Sequence, residues 1–331
     1  MNLLINLPSG FFSHANLAPR FAKLKERFDV RERSHNTAEE IAEDLKWADA
    51  VIMWSWPVLD DELLDASGEF KYIGQIDVSQ KGATCTLKRN IPLSCSRSGF
   101  SPAVAEMALG LILNGLRRIS DYHGAMRSSS ESWVEAFPDD IDVRERQLSG
   151  ASVGIIGFGK VGQRLGELLA PFGVSLNVYD PYVPEAVVSK FEAQSVSLDE
   201  LVEGSEVVVL CAASNDGTDK LINADRIGKL QKDSLFVNVA RASLVDYAAL
   251  AERLEKGDMQ AALDVFEVEP LEADSKLRSL PNAYLTPHRA GGVIASVERN
   301  IDWLIEDMDR VLAGESQKYP IVEAMIPSLD A

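Results

Sequence analysis

Cysteine is scarce in this chain: Cys85, Cys95 and Cys211 are the only three in 331 residues. An odd, scattered set without ligand spacing excludes a disulfide framework and a zinc cluster, and reads as buried thiols of a reducing cytosol. Positive charge is also short. Lysine and arginine total 33 against 51 acidic residues, a net charge of −18. That balance works against binding nucleic acid or an anionic membrane and favours solubility; an anionic substrate would need a locally positive pocket. No uninterrupted apolar run approaches the ~18 residues of a membrane span. The opening MNLLINLPSGFF lacks the basic start of a signal peptide and reads as a first β-strand. Neither a fixed-period repeat nor a low-complexity tract is found. The expected location is cytoplasmic.

What the chain does contain is an ordinary globular composition, 46% hydrophobic and 25% charged, over a length that predicts two domains. Its most informative stretch is SVGIIGFGKVGQRLGELLAPFGVSLNVYD, Ser152 to Asp180. An apolar strand, Val153–Ile156, runs into Gly157-Phe-Gly159-Lys160-Val161-Gly162. A helical pattern follows, with Leu165, Leu168 and Leu169 at helix spacing, and a second strand, Val174–Tyr179, ends on Asp180. Gly157 permits the tight turn, Gly159 lets backbone approach a pyrophosphate, and Gly162 lets the helix pack close to the sheet. The helix N-terminus offers unpaired N–H groups to the phosphates. Asp180 lies 23 residues past Gly157, near the ~20 expected of the acid that grips the adenosine ribose. A carboxylate there accepts from two ribose hydroxyls and repels a 2′-phosphate. Pro181, Tyr182 and Val183 follow with no cation, so NAD is favoured over NADP.

The remaining pattern alternates strands and helices. Leu3–Leu7, Ala50–Trp54 and Tyr72–Ile76 read as strands, and Phe21–Phe28 and Ala38–Trp47 as helices. Ser101-Pro102 opens an apolar helix from Ala103 to about Ile119, with serine at the cap and proline at the first helical position. Its apolar residues cover most faces, which predicts burial between elements or between subunits. A polar stretch, Ser128–Gln147, follows. Beyond Asp180 come a helix at Leu198–Val202, a strand at Glu206–Cys211, a helix at Ala224–Leu230 and a strand at Leu235–Val239. Then come a helix at Ala248–Glu255, strands at Gln260–Val265 and Ala283–Leu285, a long helix at about Val293–Leu312, and an irregular end, Tyr319–Ala331. The cofactor unit sits mid-sequence, so residues 1–100 and 292–331 are expected to form a substrate domain around a dinucleotide-binding domain, 101–291.

Three further segments carry chemistry. FVNVARASLVD runs a strand into Arg241, a residue able to hold a carboxylate with two parallel bonds. ALDVFEVEP delivers Asp264 with Glu267 and Glu269 behind it. LTPHRAGG places His288 before a glycine-rich opening at Gly291. Singly, each is as well explained as an ordinary surface or structural residue, and His14, His35 and His123 say little. Jointly, an arginine, an acid and a histidine at successive strand ends point to one site, because open α/β sheets bind ligands at their strands' carboxyl ends.

With these motifs in this order, the chain resembles the D-isomer-specific 2-hydroxyacid dehydrogenases from about Ala48 to Asn300. The resemblance implies a two-domain α/β fold, in which a Rossmann-type doubly wound parallel sheet is inserted into a smaller flavodoxin-like substrate domain. It implies an NAD-dependent oxidoreductase acting between a small anionic 2-oxo acid and its D-2-hydroxy acid. Arg241 would bind substrate, Glu269 would be the partner acid and His288 the acid/base; spacing alone does not choose Glu269 over Glu267. The cofactor would be held by Gly157, Gly159, Lys160, Val161, Gly162, Asp180, Val239, Ala240, Asp264 and Gly291, with Asp264 and the Val239–Arg241 turn on the nicotinamide side. Backbone N–H groups near Val78 and Ser79 would hold the substrate anion, with Lys81 adding charge close by. A homodimer through the cofactor domain is expected, and no metal. Three departures stand out: Ala242 replaces a usual glycine, Gly74–Gly82 has lost much of its G-x-G-x-D-N pattern, and Cys211-Ala-Ala-Ser-Asn-Asp lacks the usual histidine and proline. The competing reading is an NAD(H)-sensing binding protein of the same fold without significant turnover; a formate dehydrogenase relative is a weaker third.

Overall fold

The computed structural model describes residues 1–329 apart from Val143 and Asp216. Val143 of the polar stretch, Asp216 of the segment after Cys211, and Asp330 and Ala331 of the tail therefore lie outside the described residues. The chain divides into two compact units, Met1–Phe100 with Gly292–Ala331, and Ser101–Gly291.

The first unit is a parallel sheet of β1 (Asn2–Asn6), β2 (Asp29–Arg33), β3 (Ala50–Met53), β4 (Tyr72–Gln75) and β5 (Leu93–Cys95), in the order β2-β1-β3-β4-β5. This is the flavodoxin-like doubly wound order. β3 and β4 are buried throughout, as strands covered on both faces must be. β2, DVRER, lies at the edge with no buried residue, and so carries none of the apolar signal by which strands are read. The helix Ala38–Trp47 starts on a Thr37–Glu40 capping box. The C-terminal helix Ile294–Leu312 buries Ile301, Leu304 and Met308 against Leu3, Ile5 and Tyr72. The tail expected to be irregular contains a 3₁₀ turn, Glu323–Ser328.

The second unit has seven parallel strands: β6 (Ser152–Ile156), β7 (Ser175–Tyr179), β8 (Gln194–Ser195), β9 (Val207–Leu210), β10 (Leu235–Asn238), β11 (Gln260–Leu263) and β12 (Ala283–Leu285). Their order, β12-β11-β10-β9-β6-β7-β8, reverses between β6 and β9, the switch point of a Rossmann sheet. Averaged over its length, Arg97–Arg117 is long and apolar enough to cross a membrane, although Glu106 and Asn114 interrupt it. Its helical part, Ser101–Arg117, instead packs Ala105, Ala108, Leu111 and Ile112 into the core formed with Val153, Ile155 and Val237. Arg118 adopts a left-handed conformation, φ 51°, and ends that helix. The sequence reading ends the first helix at about Ile119, close to the observed Arg117, and misses a second helix, Ile119–Ser128, between it and the polar stretch that starts at Ser128. That helix buries no residue, so it has no buried face by which to be read.

Candidate active site

β6 delivers the glycine turn. Gly157 has φ +89°, and a Cβ there would meet Ala212 Cα at 2.5 Å, so both the turn and the neighbouring backbone require glycine. A Cβ on Gly162 would strike Gly157 O at 2.3 Å, which is the close helix–strand approach. Gly159 differs: nothing in the chain lies within 4 Å of a Cβ placed on it, and its backbone is extended. No contact within the chain requires glycine at that position, whereas a phosphate drawn against the backbone would. Gly159 caps the helix Lys160–Leu169 without a side-chain bond, leaving the first helical N–H groups for an anion. Lys160 and Val161 occupy that first turn. Asp180, at the end of β7, accepts the N–H of Phe158 at 2.7 Å and of Tyr182 at 2.9 Å. Each oxygen keeps a lone pair for a ribose hydroxyl. These residues fit a dinucleotide.

β10, β11 and β12 bring three chemically active side chains to the carboxyl edge of the same sheet. β10 ends on Asn238, which is fully buried. Its Oδ1 accepts the Ala240 N–H at 3.0 Å, and its Nδ2 donates to Arg241 O at 3.2 Å and to the Tyr247 hydroxyl at 3.4 Å. That amide folds Val239, Ala240 and Arg241 into the turn that presents the guanidinium; Arg241 itself donates to Ala240 O at 2.9 Å. Ala242 is buried beneath the turn. The sequence reading missed Asn238; its signal was a polar residue ending an apolar strand.

Past β11, Glu269 accepts the Phe266 N–H at 2.9 Å through Oε1 and meets His288 Nδ1 at 2.6 Å through Oε2. Burial raises the pKa of this carboxyl. The bonds from His288 and Phe266 and the charges of His288 and Arg241 outweigh it, so Glu269 lies below the usual carboxylate range. It is Glu269, not Glu267, that contacts His288. His288 is itself left-handed, φ 49°, uncommon for a non-glycine residue. Its N–H donates to Asp264 O at 2.9 Å and its ring is about half exposed.

Asp264 explains how that conformation is held. It is fully buried. Oδ1 accepts from Thr286 Oγ1 at 2.6 Å and from Arg289 N at 2.9 Å, and Oδ2 accepts from Ala290 N at 2.8 Å. The resemblance puts Asp264 on the nicotinamide side; within the chain its carboxylate holds the His288 loop through three bonds. Gly291, at the end of this loop, closes the second unit.

Arg241, Glu269, His288, Asp264, Asp180 and the glycine turn thus all belong to the second unit. Val78 and Ser79 belong to the first. There the Val78 N–H is taken by the neighbouring Asp77 carboxylate at 2.9 Å. Ser79 caps the helix Gln80–Leu87 by accepting the Gly82 N–H at 3.1 Å. Lys81, expected to add charge close by, is paired with Asp60 at 2.9 Å. No grouping of three or more potential metal ligands occurs among the described residues.

Comparison with known proteins agrees with the fold. Residues 109–290 match the family described as D-isomer specific 2-hydroxyacid dehydrogenase, NAD binding domain. The glyoxylate reductase of Thermofilum pendens is 30% identical over 314 residues, 90% of this chain and 89% of that protein. The D-3-phosphoglycerate dehydrogenase of Methanocaldococcus jannaschii is 28% identical over 308 residues, 92% of this chain but only 57% of that protein's length. Among solved structures, the PH0520 protein of Pyrococcus horikoshii superposes with a TM-score of 0.79 at 26% identity, covering 97% of this chain and 95% of that one.

Proposed function

The chain belongs to the D-isomer-specific 2-hydroxyacid dehydrogenase family, and on that premise we propose that it reduces a small anionic 2-oxo acid to the D-2-hydroxy acid with NADH. The observation that carries this reading is the 2.6 Å Glu269–His288 pair in the unit that also holds Arg241 and a glycine turn fitted to a dinucleotide. When bound, the dinucleotide supplies the hydride. Gly157, Gly159, Gly162 and the start of the Lys160–Leu169 helix would hold its phosphates, and Asp180 its ribose. Arg241 grips the substrate carboxylate and stabilises the charge developing on the carbonyl oxygen. His288 donates a proton to that oxygen through its outer nitrogen. Glu269, ionised at the inner nitrogen, fixes the tautomer and favours the imidazolium. Asp264 acts through the loop, holding His288 in place. In the oxidative direction neutral His288 takes the alcohol proton.

The assignment of Val78 and Ser79 to the substrate anion rests on the family pattern, as do a homodimer through the dinucleotide-binding unit and a cytoplasmic setting. The test is NADH oxidation against glyoxylate, hydroxypyruvate, pyruvate, phosphohydroxypyruvate and branched 2-oxo acids. It is run on the native protein and on His288→Ala, which should still bind NADH but lose about a hundredfold or more in kcat. Near-native turnover in that variant would overturn the mechanism.

A further inference from the structure

We propose that Tyr247 is a positioning residue of the reaction: its hydroxyl sets the peptide group that holds Glu269 and ties that peptide to the turn presenting Arg241. This rests on the dehydrogenase reading, and every residue in it belongs to the second unit.

Tyr247 opens the helix Tyr247–Glu255 and is buried in one core cluster with Phe236, Leu263 and Phe266. A phenylalanine ring would serve that packing as well; the hydroxyl needs a separate account. It donates to Val265 O and accepts from Asn238 Nδ2 at 3.4 Å. The carbonyl of Val265 and the N–H of Phe266 are the two ends of one planar peptide group. The N–H end donates to Glu269 Oε1 at 2.9 Å, and Glu269 Oε2 meets His288 Nδ1 at 2.6 Å. On the other side, Asn238 Nδ2 also donates to Arg241 O at 3.2 Å. A line of hydrogen bonds therefore joins the Arg241 turn to His288, and Tyr247 is its middle member. Because the peptide is planar, holding its carbonyl fixes the direction from which its N–H meets the carboxylate. Bonds in such a chain also polarise one another, so a donor on the carbonyl makes the N–H a better donor to Glu269. Burial, with the nearby charges of Glu267, Glu269 and Asp264, raises the pKa of the phenol, so it remains a neutral donor while the histidine titrates.

The experiment is Tyr247→Phe, which keeps the ring and its packing and removes the hydroxyl. The variant should fold, with a melting temperature lower by a few degrees, and bind NADH as the native protein does. Its kcat/KM for the 2-oxo acid that the native protein reduces best should fall about fivefold or more, the scale of one buried hydrogen bond. The alkaline limb of that pH profile should move to lower pH, because a loosely held Glu269 favours the imidazolium less. In a Glu269→Ala background the carboxylate is already gone. Tyr247→Phe should there cost kcat less than about twofold, with any remaining effect falling on KM through the Arg241 turn. A merely structural tyrosine would lower the melting temperature and leave the alkaline limb in place; that outcome overturns the inference, as does a full further loss of kcat in Glu269→Ala. If the native protein turns over no 2-oxo acid, the dehydrogenase reading fails separately. The inference is then decided by NMR titration of the imidazoles, with His288 assigned among the four histidines by the signal missing in His288→Ala. A lower His288 pKa in Tyr247→Phe than in the native protein supports it, and an unchanged or higher one overturns it.

Discussion

Glu269 Oε2 lies 2.6 Å from His288 Nδ1, while Oε1 of the same carboxylate is held by the Phe266 N–H at 2.9 Å. The carboxylate is thus fixed from behind and aimed at the imidazole. Glu269→Gln keeps the shape and removes the charge. Without that charge the imidazolium is less favoured, so the alkaline limb of kcat/KM for reduction should move to lower pH, with kcat reduced about tenfold or more. Stability follows the same charge. The Glu269 pKa is lowered on folding, so its contribution is present above the unfolded carboxylate value and lost as pH falls through the lowered one. Melting curves of native and variant protein should therefore differ at neutral pH and converge in acid. An unshifted alkaline limb would remove Glu269 from the mechanism.

The dinucleotide unit was legible because its signals are local. Strand, glycines, helix and acid follow one another between Ser152 and Asp180, and Gly157 and Gly162 answer to backbone requirements within the chain. Arg241, Glu269 and His288 were legible as residues at strand ends, but choosing Glu269 over Glu267 took the family pattern, and the structure shows the reason in the His288 contact. What escaped was non-local or unpatterned. The edge strand Asp29–Arg33 has no buried face to advertise it. The helix Ile119–Ser128 buries no residue and so shows no buried face. The loads on Asn238 and Asp264 depend on partners up to 26 residues away.

The glycines separate fold from ligand. Gly157→Ala forces an L-residue to φ +89° and brings its Cβ to 2.5 Å from Ala212 Cα, so it should destabilise by several kcal/mol or fail to fold. Gly159→Ala meets nothing in the chain within 4 Å and should leave the melting temperature within a few degrees. It should nevertheless weaken NADH binding about tenfold or more, because its methyl occupies the pyrophosphate approach. Unchanged NADH affinity in a folded Gly159→Ala protein would place the phosphates elsewhere.

Asp264 holds the catalytic loop from inside. Asp264→Ala strips the buried Ala290 N–H of its acceptor, at about 1–3 kcal/mol per orphaned group, and frees Thr286 and Arg289 as well. The melting temperature and kcat should both fall, and NADH affinity should change much less than kcat. The opposite ordering, a large loss of NADH affinity with kcat preserved at saturation, would return Asp264 to the nicotinamide side and remove its positioning role.

Asp180 should set cofactor choice. Its two oxygens are anchored by the Phe158 and Tyr182 N–H groups, so the carboxylate cannot swing away to admit a 2′-phosphate. The remaining lone pairs suit the two ribose hydroxyls. The native protein should therefore use NADH at least about tenfold more efficiently than NADPH, the scale of one like-charge contact near a protein surface. Asp180→Asn keeps the shape and one acceptor for these N–H groups while removing the charge. It should narrow the preference chiefly by improving kcat/KM for NADPH. Asp180→Ala also releases the Phe158 N–H that steadies the glycine turn, so it should weaken both cofactors as well as the preference. Comparing the two variants separates repulsion of the phosphate from support of the turn. Equal efficiency of the native protein with both cofactors would dismiss Asp180 as the discriminating residue.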